Sequence, residues 1–176
     1  FYVGSVGITD KISAILGEES ESSFGTLCAS FHRAFFREQT GLYADSTTSD
    51  HSAAHSNILP LFFGMIPKEK EARVADWLVE RGMKTGVYMA FFFLKALARA
   101  GRYEDVYRFI VGEGECSWRN MLAEGATTLF EAWGKEQKNN TSLCHPWASA
   151  PVAVLVEDIL GITPEGARGG PWKTHL

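Results

Sequence analysis

The chain has 176 residues, of which 45% are hydrophobic and 22% are charged, and its formal net charge is −4. This composition is typical of one globular domain with a sizeable core. The slight negative charge gives no general attraction to nucleic acid or to anionic lipid. The longest apolar run, residues 86–94, ends at Lys95, far short of a bilayer span. We therefore expect no nucleic-acid partner and no membrane span.

The first residue is Phe1, and no signal-peptide pattern follows it. We expect a processed form, a shortened form or part of a longer protein. The cellular compartment stays open between the bacterial cytoplasm, the periplasm and secretion.

Two sets of residues could suggest a cross-link or a metal site. The cysteines are three in number, without metal-like spacing and without the even count of a disulfide framework: Cys28, Cys116 and Cys144. Acidic residues and histidines also cluster before residue 56, but their spacing matches no metal motif: Asp45, Asp50, His51 and His55. We expect a solvated loop there, and neither a metal nor a cofactor.

The spacing of apolar residues predicts helices along nearly the whole chain, and no segment alternates convincingly as a strand. In chain order the predicted helices are 24–41, ending at Gly41, then about 53–64, 67–82, 85–100, 103–111, 128–133 onward, and 151–160. A polar loop is predicted over residues 42–56.

The predicted helix over 85–100 is apolar nearly all round, which indicates protein on most of its sides, including at Phe92. It alternates with more amphipathic helices across short loops, the pattern of antiparallel helical hairpins. We therefore predict an all-α fold, built as a two-layer ring or superhelix rather than a four-helix bundle.

Residues 124–147, EGATTLFEAWGKEQKNNTSLCHPW, place one carboxylate, Glu131, and one histidine, His145, close together among aromatic residues. One interpretation is structural: Thr128 and Glu131 are spaced as a capping box at a helix start, and His145 is a surface loop residue. The other is one wall of a sugar site, because sugars stack on aromatic rings and apolar surroundings tune a carboxyl pKa. The two are compatible, since a helix N-terminus stabilises an ionised carboxylate.

Four segments carry a resemblance to a known family: HSNILPLFFGMIPKE (55–69), GRYEDVYRFI (101–110), SWRNMLAEGATTLFEAW (117–133) and SLCHPWASAPVAVLVEDILGITP (142–164). Together they resemble the C-terminal part of the catalytic domain of bacterial α-L-rhamnosidases, which are six-hairpin, (α/α)6-barrel glycoside hydrolases. The resemblance extends from about Ser20 to Pro164. Its most specific part is the Gly-Ala-Thr-Thr-x-x-Glu block followed by Ser-x-x-His.

The resemblance implies antiparallel helical hairpins of an (α/α)6 toroid, with residues 1–176 as the later portion of a catalytic domain. Six hairpins need roughly 240 residues or more, and this chain supplies about four. We therefore expect an incomplete ring, without the N-terminal part of the barrel. Such a ring would expose apolar helix faces, so we expect self-association or contact with the remainder of a longer chain.

The resemblance also implies roles for single residues. It makes Glu131 the general base of an inverting hydrolysis, and it assigns a contact with the bound sugar to His145. Inversion needs a second carboxyl group as general acid, and the family's acidic motif has no match here, so we expect that acid outside this chain. Trp118, Trp133 and Trp147 are candidate stacking platforms for the sugar, with core packing as the alternative for each.

These inferences predict an inverting glycosidase that acts on terminal α-L-rhamnosides or a similar sugar. A carbohydrate is thus the expected substrate, and this chain alone is expected to be incomplete as an enzyme. Two alternatives stay open: a degenerate barrel that binds sugar without chemistry, and a helical scaffold for protein partners.

Overall fold

The computed structural model describes residues 1–19, 23–164 and 171–174. The chain divides into two compact units, Phe1–Leu78 and Val79–Leu176. Helices make up most of the regular structure in both, which confirms the predicted fold class. Among the described residues, no helix combines the length and the apolar character that crossing a membrane requires.

The first unit holds three helices and the start of a fourth, with a short hairpin among them. The helices are α1 (Tyr2–Leu16), α2 (Phe24–Phe35), α3 (Ala54–Phe63) and α4 (Lys68–Arg81), and the strands are β1 (Phe36–Arg37) and β2 (Leu42–Tyr43). The sequence predicted α3 and α4 to within a few residues, but α1 was not predicted. Gly64 ends α3 and Gly82 follows α4, each with the positive φ that favours glycine.

The predicted continuation of α2 to Gly41 was wrong. The helix ends at Phe35, and the next residues form an antiparallel hairpin in which Phe36 pairs with Tyr43. Gly41, with φ at 71°, closes the hairpin instead of ending a helix. A buried amide locks this arrangement, because the Asn57 side chain accepts from Tyr43 N at 2.9 Å and donates to Tyr43 O at 3.0 Å.

The second unit contains the predicted buried helix and the candidate site. Its elements are α5 (Val87–Arg99), α6 (Tyr103–Val111), α7 (Trp118–Ala123), a 3-10 turn (Pro146–Ala148), α8 (Ala150–Val154), a π-helical turn (Leu155–Ile159), β3 (Ile162–Pro164) and β4 (Trp172–Thr174). The predicted helices over 103–111 and 151–160 are thus present, the second as α8 and the π-helical turn. The expectation of no strands was wrong, since a short hairpin lies in each unit.

Helix α5 supplies much of the core of its unit, as its apolar sequence predicted. Phe93 and Leu94 are fully buried in it, and the Phe93 ring meets Phe109 edge to face at 5.0 Å. Phe92, predicted to be buried, is only half-buried. The helix turns Phe92 toward Tyr88, whose ring lies 5.5 Å away and is 47% exposed.

Candidate active site

Residues 128–145 form two extended arms joined by a bridge, and no helix lies between Ala123 and Pro146. The first arm is 128–131, the bridge is 132–141, and the second arm is 142–145. The backbone N–H of Glu131 donates to Ser142 O at 2.8 Å, and that of His145 donates to Leu129 O at 2.7 Å. These two hydrogen bonds hold the arms side by side, so that residues of one arm lie next to residues of the other.

The predicted helix from Thr128, and with it the capping box, was wrong. Helix α7 ends at Ala123, and Gly125 with φ at 80° turns the chain away. The Thr128 hydroxyl donates to Leu143 O at 2.6 Å, across to the second arm. Pairing with a distant segment thus replaces the local helix start, and Glu131 is free of any capping role.

The Glu131 carboxylate is held through both of its oxygens. Oε1 accepts a hydrogen bond from the Lys138 ammonium, and Oε2 accepts one from the backbone N–H of Ser142 at 3.1 Å. The Lys138 side chain, then the Ser142 N–H, lower the pKa of Glu131, and the charge of His145 acts weakly in the same direction. A glutamate is ionised at neutral pH even at its ordinary pKa, and these contacts keep Glu131 in that state, in which a general base accepts a proton.

His145 lies at the end of the second arm with one ring nitrogen unpaired. Its Nε2 is shielded from solvent and has no hydrogen-bond partner among the described residues. A buried polar atom without a partner costs free energy, so this nitrogen is a candidate for a hydrogen bond to water or to a ligand. The structure therefore brings together Glu131 and His145, the two residues that the resemblance singled out.

Aromatic rings continue the surface beyond His145. The Trp147 ring is 60% exposed, and it meets the ring of His145 edge to face at 5.0 Å. It also contacts Tyr88, with ring centroids 5.0 Å apart. An open recess of about 230 Å³ is lined by Tyr88, Phe91, Phe92, Trp147, Ser149, Ala150 and Ala153. We name this the aromatic recess.

Trp118 on α7 and Trp133 on the bridge are both buried in the core. They are 8% and 3% exposed, and their rings meet at 90° with centroids 4.9 Å apart. Each indole N–H donates to a backbone carbonyl at 2.6 Å, from Trp118 to Ala148 and from Trp133 to Thr85. These contacts favour core packing, and direct stacking of either ring on a sugar stays a prediction.

The first half of the bridge is anchored to α7. The side-chain amide of Asn120 donates to Trp133 O at 2.8 Å and to Glu124 Oε1 at 3.0 Å. The other carboxylate oxygen of Glu124 accepts from the backbone N–H of Lys135 at 2.7 Å. The path of the bridge is therefore set by a helix that precedes it.

Sequence reasoning missed Tyr88 and Lys138. Tyr88 was counted within an apolar run, although its hydroxyl made it the one polar side chain between Val87 and Leu94. The sequence did not single out Lys138, because charged residues are common in polar loops. Its partner is set by how the bridge folds.

No metal site is evident in the described part of the chain, where no group of three or more His, Cys, Asp or Glu side chains could hold an ion. Within the cluster singled out above, Asp45 instead accepts hydrogen bonds from His51, Ser56 and the backbone of Ala53. A mainly apolar cavity of about 380 Å³ also lies against the first arm. It is lined by residues that include Trp118 and Leu129 but neither Glu131 nor His145.

Comparison with known proteins identifies a family and several similar proteins. Residues 1–159 match the family described as the bacterial alpha-L-rhamnosidase 6 hairpin glycosidase domain. The alpha-L-rhamnosidase of Formosa agariphila is 25% identical over 182 residues, covering 93% of this chain and 19% of its own length. That of an Alteromonas species (strain LOR) is 26% identical over 184 residues, covering 94% of this chain and 19% of its own. The chain thus spans about a fifth of the length of these relatives.

Two solved structures share the fold. The α-L-rhamnosidase of Aspergillus terreus superposes with a TM-score of 0.74 at 20% identity, covering 92% of this chain and 20% of its own. That of Streptomyces avermitilis, solved with L-rhamnose, superposes with a TM-score of 0.76 at 19% identity, covering 94% of this chain and 17% of its own. The helical arrangement described above is therefore that of the six-hairpin glycosidases.

Proposed function

The chain belongs to the bacterial α-L-rhamnosidase six-hairpin glycosidase family, and we propose that its protein hydrolyses terminal α-L-rhamnosides with Glu131 as the general base. One observation carries the assignment. The ionised carboxylate of Glu131 is fixed through both oxygens on one arm, while the paired arm presents the unpartnered Nε2 of His145. A proton acceptor beside an unused sugar contact is what a glycosidase needs on the water side of its substrate.

In the proposed reaction Glu131 takes a proton from a water molecule as the water oxygen bonds to the anomeric carbon. The bond between that carbon and the glycosidic oxygen breaks on the opposite face, and the leaving oxygen takes a proton from a second carboxyl group. The two carboxyl groups of inverting enzymes lie about 6.5–9.5 Å apart, which leaves room for the water. We propose that this acid belongs to a part of the protein outside these 176 residues.

Binding of the sugar is assigned to the residues that continue from Glu131. His145 Nε2 would bond a ring hydroxyl of the sugar and so lose its unpaired state. The exposed face of Trp147 suits the apolar C–H face of a pyranose. The aromatic recess beside it suits the methyl group that a 6-deoxyhexose such as rhamnose carries in place of a hydroxymethyl group.

The proposal treats residues 1–176 as the later portion of the catalytic domain. One carboxylate without its acid partner does not complete the reaction, so the isolated chain should not turn over an α-L-rhamnoside at an enzymatic rate. A sugar-binding module without chemistry is the competing function, and the same residues would then bind L-rhamnose in a protein that has no turnover.

The test is the Glu131→Gln variant of the protein that carries this chain, assayed on 4-nitrophenyl α-L-rhamnoside. Glutamine keeps the shape and accepts from Ser142 N, but it cannot take a proton. We expect kcat to fall by about 10² or more with a smaller change in KM. Glu136→Gln, the same change at an exposed site on the bridge, should leave kcat as in the wild type.

Three results would overturn parts of this proposal. Wild-type kcat in Glu131→Gln would remove the base from that position. Stereochemistry is read separately, by NMR of the first sugar released, and the α-anomer as the initial product would exclude inversion. A wild-type protein that binds L-rhamnose but hydrolyses no rhamnoside would favour the binding module.

A further inference from the structure

The bridge contains two lysines three positions apart that serve different partners. Lys138 directs its ammonium to Oε1 of Glu131. Lys135 instead bonds to the end of α7, where its ammonium donates to Glu124 O at 2.5 Å. Lys138 is therefore the bridge lysine that acts on the proposed base, and Lys135 is an internal reference for a lysine that does not.

A tight turn delivers Lys138 to the carboxylate. The hydroxyl of Thr141 donates to Lys138 O at 2.6 Å, and Asn140 has a φ of 63°, in the left-handed region that asparagine tolerates better than most residues. Ser142, which follows Thr141, donates its backbone N–H to Oε2 of Glu131 at 3.1 Å. One turn, residues 138–142, thus supplies both partners of Glu131.

The ion pair between Lys138 and Glu131 contributes little to the stability of the fold. The Lys138 side chain is 52% exposed and that of Glu131 is 25% exposed, and ion pairs at such sites contribute little because water and salt screen them. What the pair fixes is the direction of the carboxylate. A carboxylate has about four acceptor positions, so with one used on each oxygen the remaining positions are left for water.

We propose that Lys138 is a positioning residue, whose ammonium holds the Glu131 carboxylate ionised and oriented to receive a proton from the attacking water. This inference rests on the proposed function of Glu131 as the base. It adds a role for the turn at residues 138–142, which supplies both partners of the proposed base.

Two side chains affect the pKa of Glu131 through their charge, one on the bridge and one on the second arm. Lys138 has the largest effect on its pKa and lowers it, and His145 on the second arm lowers it weakly. Without Lys138 the carboxyl group should therefore titrate at higher pH. The acid limb of the rate profile, which reports protonation of the base, should move upward with it.

The experiment compares Lys138→Met, Lys138→Arg and the matched control Lys135→Met. In the protein that carries the chain, ¹³C NMR of labelled glutamate carboxyl carbons follows the titration of Glu131. In the same protein, kcat and kcat/KM are measured against pH. Lys138→Met should raise the titration midpoint and the acid limb together and should lower kcat by about 10- to 100-fold. Lys138→Arg should restore both, and Lys135→Met should move neither.

The outcomes separate the two proposals. If Glu131→Gln is inactive but Lys138→Met keeps a wild-type pH profile and kcat, the positioning role fails and the base assignment stands. If Glu131→Gln keeps wild-type activity, both fail, whatever the titration shows. A Lys135→Met variant that shifts the acid limb as far as Lys138→Met would also overturn the inference, because the effect would then come from disturbing the bridge.

Discussion

The ring of His145 meets that of Trp147 edge to face, with 5.0 Å between the ring centroids. This contact fixes the imidazole plane while leaving Nε2 without a hydrogen-bond partner among the described residues. An oriented but unsatisfied nitrogen costs the unbound protein free energy that a ligand recovers on binding. We therefore propose that His145 binds and orients a ligand, whereas Glu131 accepts a proton.

His145→Ala should affect substrate binding and rate together. The substitution removes the proposed sugar contact but leaves the Glu131 carboxylate and both of its partners, so KM should rise and kcat should fall. Steady-state kinetics on an α-L-rhamnoside measures both constants. His55→Ala, at an exposed position on α3, is the control and should change neither. An unchanged KM in His145→Ala would remove the histidine from the binding site.

Charges placed at neighbouring phenylalanines of α5 should have unequal effects. Phe93 is fully buried, so an aspartate there would be an unpaired charge in the core and should cost several kcal/mol, on the order of the largest single-residue effects. Phe92 is half-buried, and Phe92→Asp should cost clearly less because the carboxylate can reach water. Chemical denaturation of the two variants measures the difference. Native-like stability in Phe93→Asp would contradict the assigned core.

The parts of the fold that the sequence predicted well depend on local signals. Helix α6 was predicted at 103–111 and observed as Tyr103–Val111, because its apolar period and the preceding Gly101 are contained in the segment itself. Helix α4 follows the same logic, with Pro67 before it and Gly82 after it. Periodicity and helix-end residues were sufficient at these places.

The errors arise where distant contacts outweigh local ones. Thr128 and Glu131 have the spacing of a capping box, yet the Thr128 hydroxyl bonds to Leu143, 15 positions on. Gly41 could equally end a helix or close a hairpin, and the bonds of Asn57 to Tyr43 accompany the hairpin. Spacing alone does not distinguish these cases.

The candidate site was predicted in part. Glu131 and His145 were singled out by resemblance, and the structure brings their arms together, whereas the catalytic and binding roles stay predictions. The pairing of Lys138 with Glu131 was not predictable, because it depends on the left-handed Asn140 and the turn around it. A residue whose role is set by the path of a loop has no pattern in the sequence.

Lys95, in the middle of α5, should contribute measurably to stability through two acidic partners. Its ammonium donates to Asp158 and to Glu157, each at 2.8 Å, and its side chain is 19% exposed. Lys95→Met would leave Asp158, itself 18% exposed, without this cation and should cost about 1–3 kcal/mol. Urea denaturation at neutral pH measures this loss. Lys11→Met, at an exposed site on α1, should cost nothing comparable.

The pairing of Lys95 with Asp158 and Glu157 also predicts how stability changes at alkaline pH. Burial acts to lower the pKa of Lys95, but its hydrogen bonds to Asp158 and Glu157 outweigh that effect and raise it above its ordinary value of 10.5. A raised folded-state pKa stabilises the protein fully below the unfolded value and less as pH rises through the folded one. The stability gap between wild type and Lys95→Met should therefore be constant up to about pH 10 and shrink above it. A gap that grows with alkali would contradict the pairing.

Asp45 should give the first unit a dependence on acid pH. Its carboxylate accepts from the backbone N–H of Ala53 at 2.8 Å and the Ser56 hydroxyl at 2.8 Å, both at the start of α3, and from Nδ1 of His51, just before the helix, at 2.5 Å. The Ala53 N–H, then His51 and Ser56, lower the pKa of Asp45 from 3.8 to about 2. Because the folded pKa is the lower one, this stabilisation is present above the unfolded value and is lost as pH falls through the folded value.

Thermal unfolding of Asp45→Asn against the wild type checks this between pH 7 and pH 2. The wild type should have the higher Tm at neutral pH, by an amount that stays constant down to about pH 4 and then closes toward pH 2. Asp50→Asn is the control, because the Asp50 side chain is 99% exposed and lies 3.4 Å from Arg37, so its Tm should follow that of the wild type. If the Tm difference of Asp45→Asn persisted unchanged at pH 2, the ionised carboxylate would not be what holds the start of α3. Equal Tm values at pH 7 would show that its three hydrogen bonds contribute nothing to the folded state.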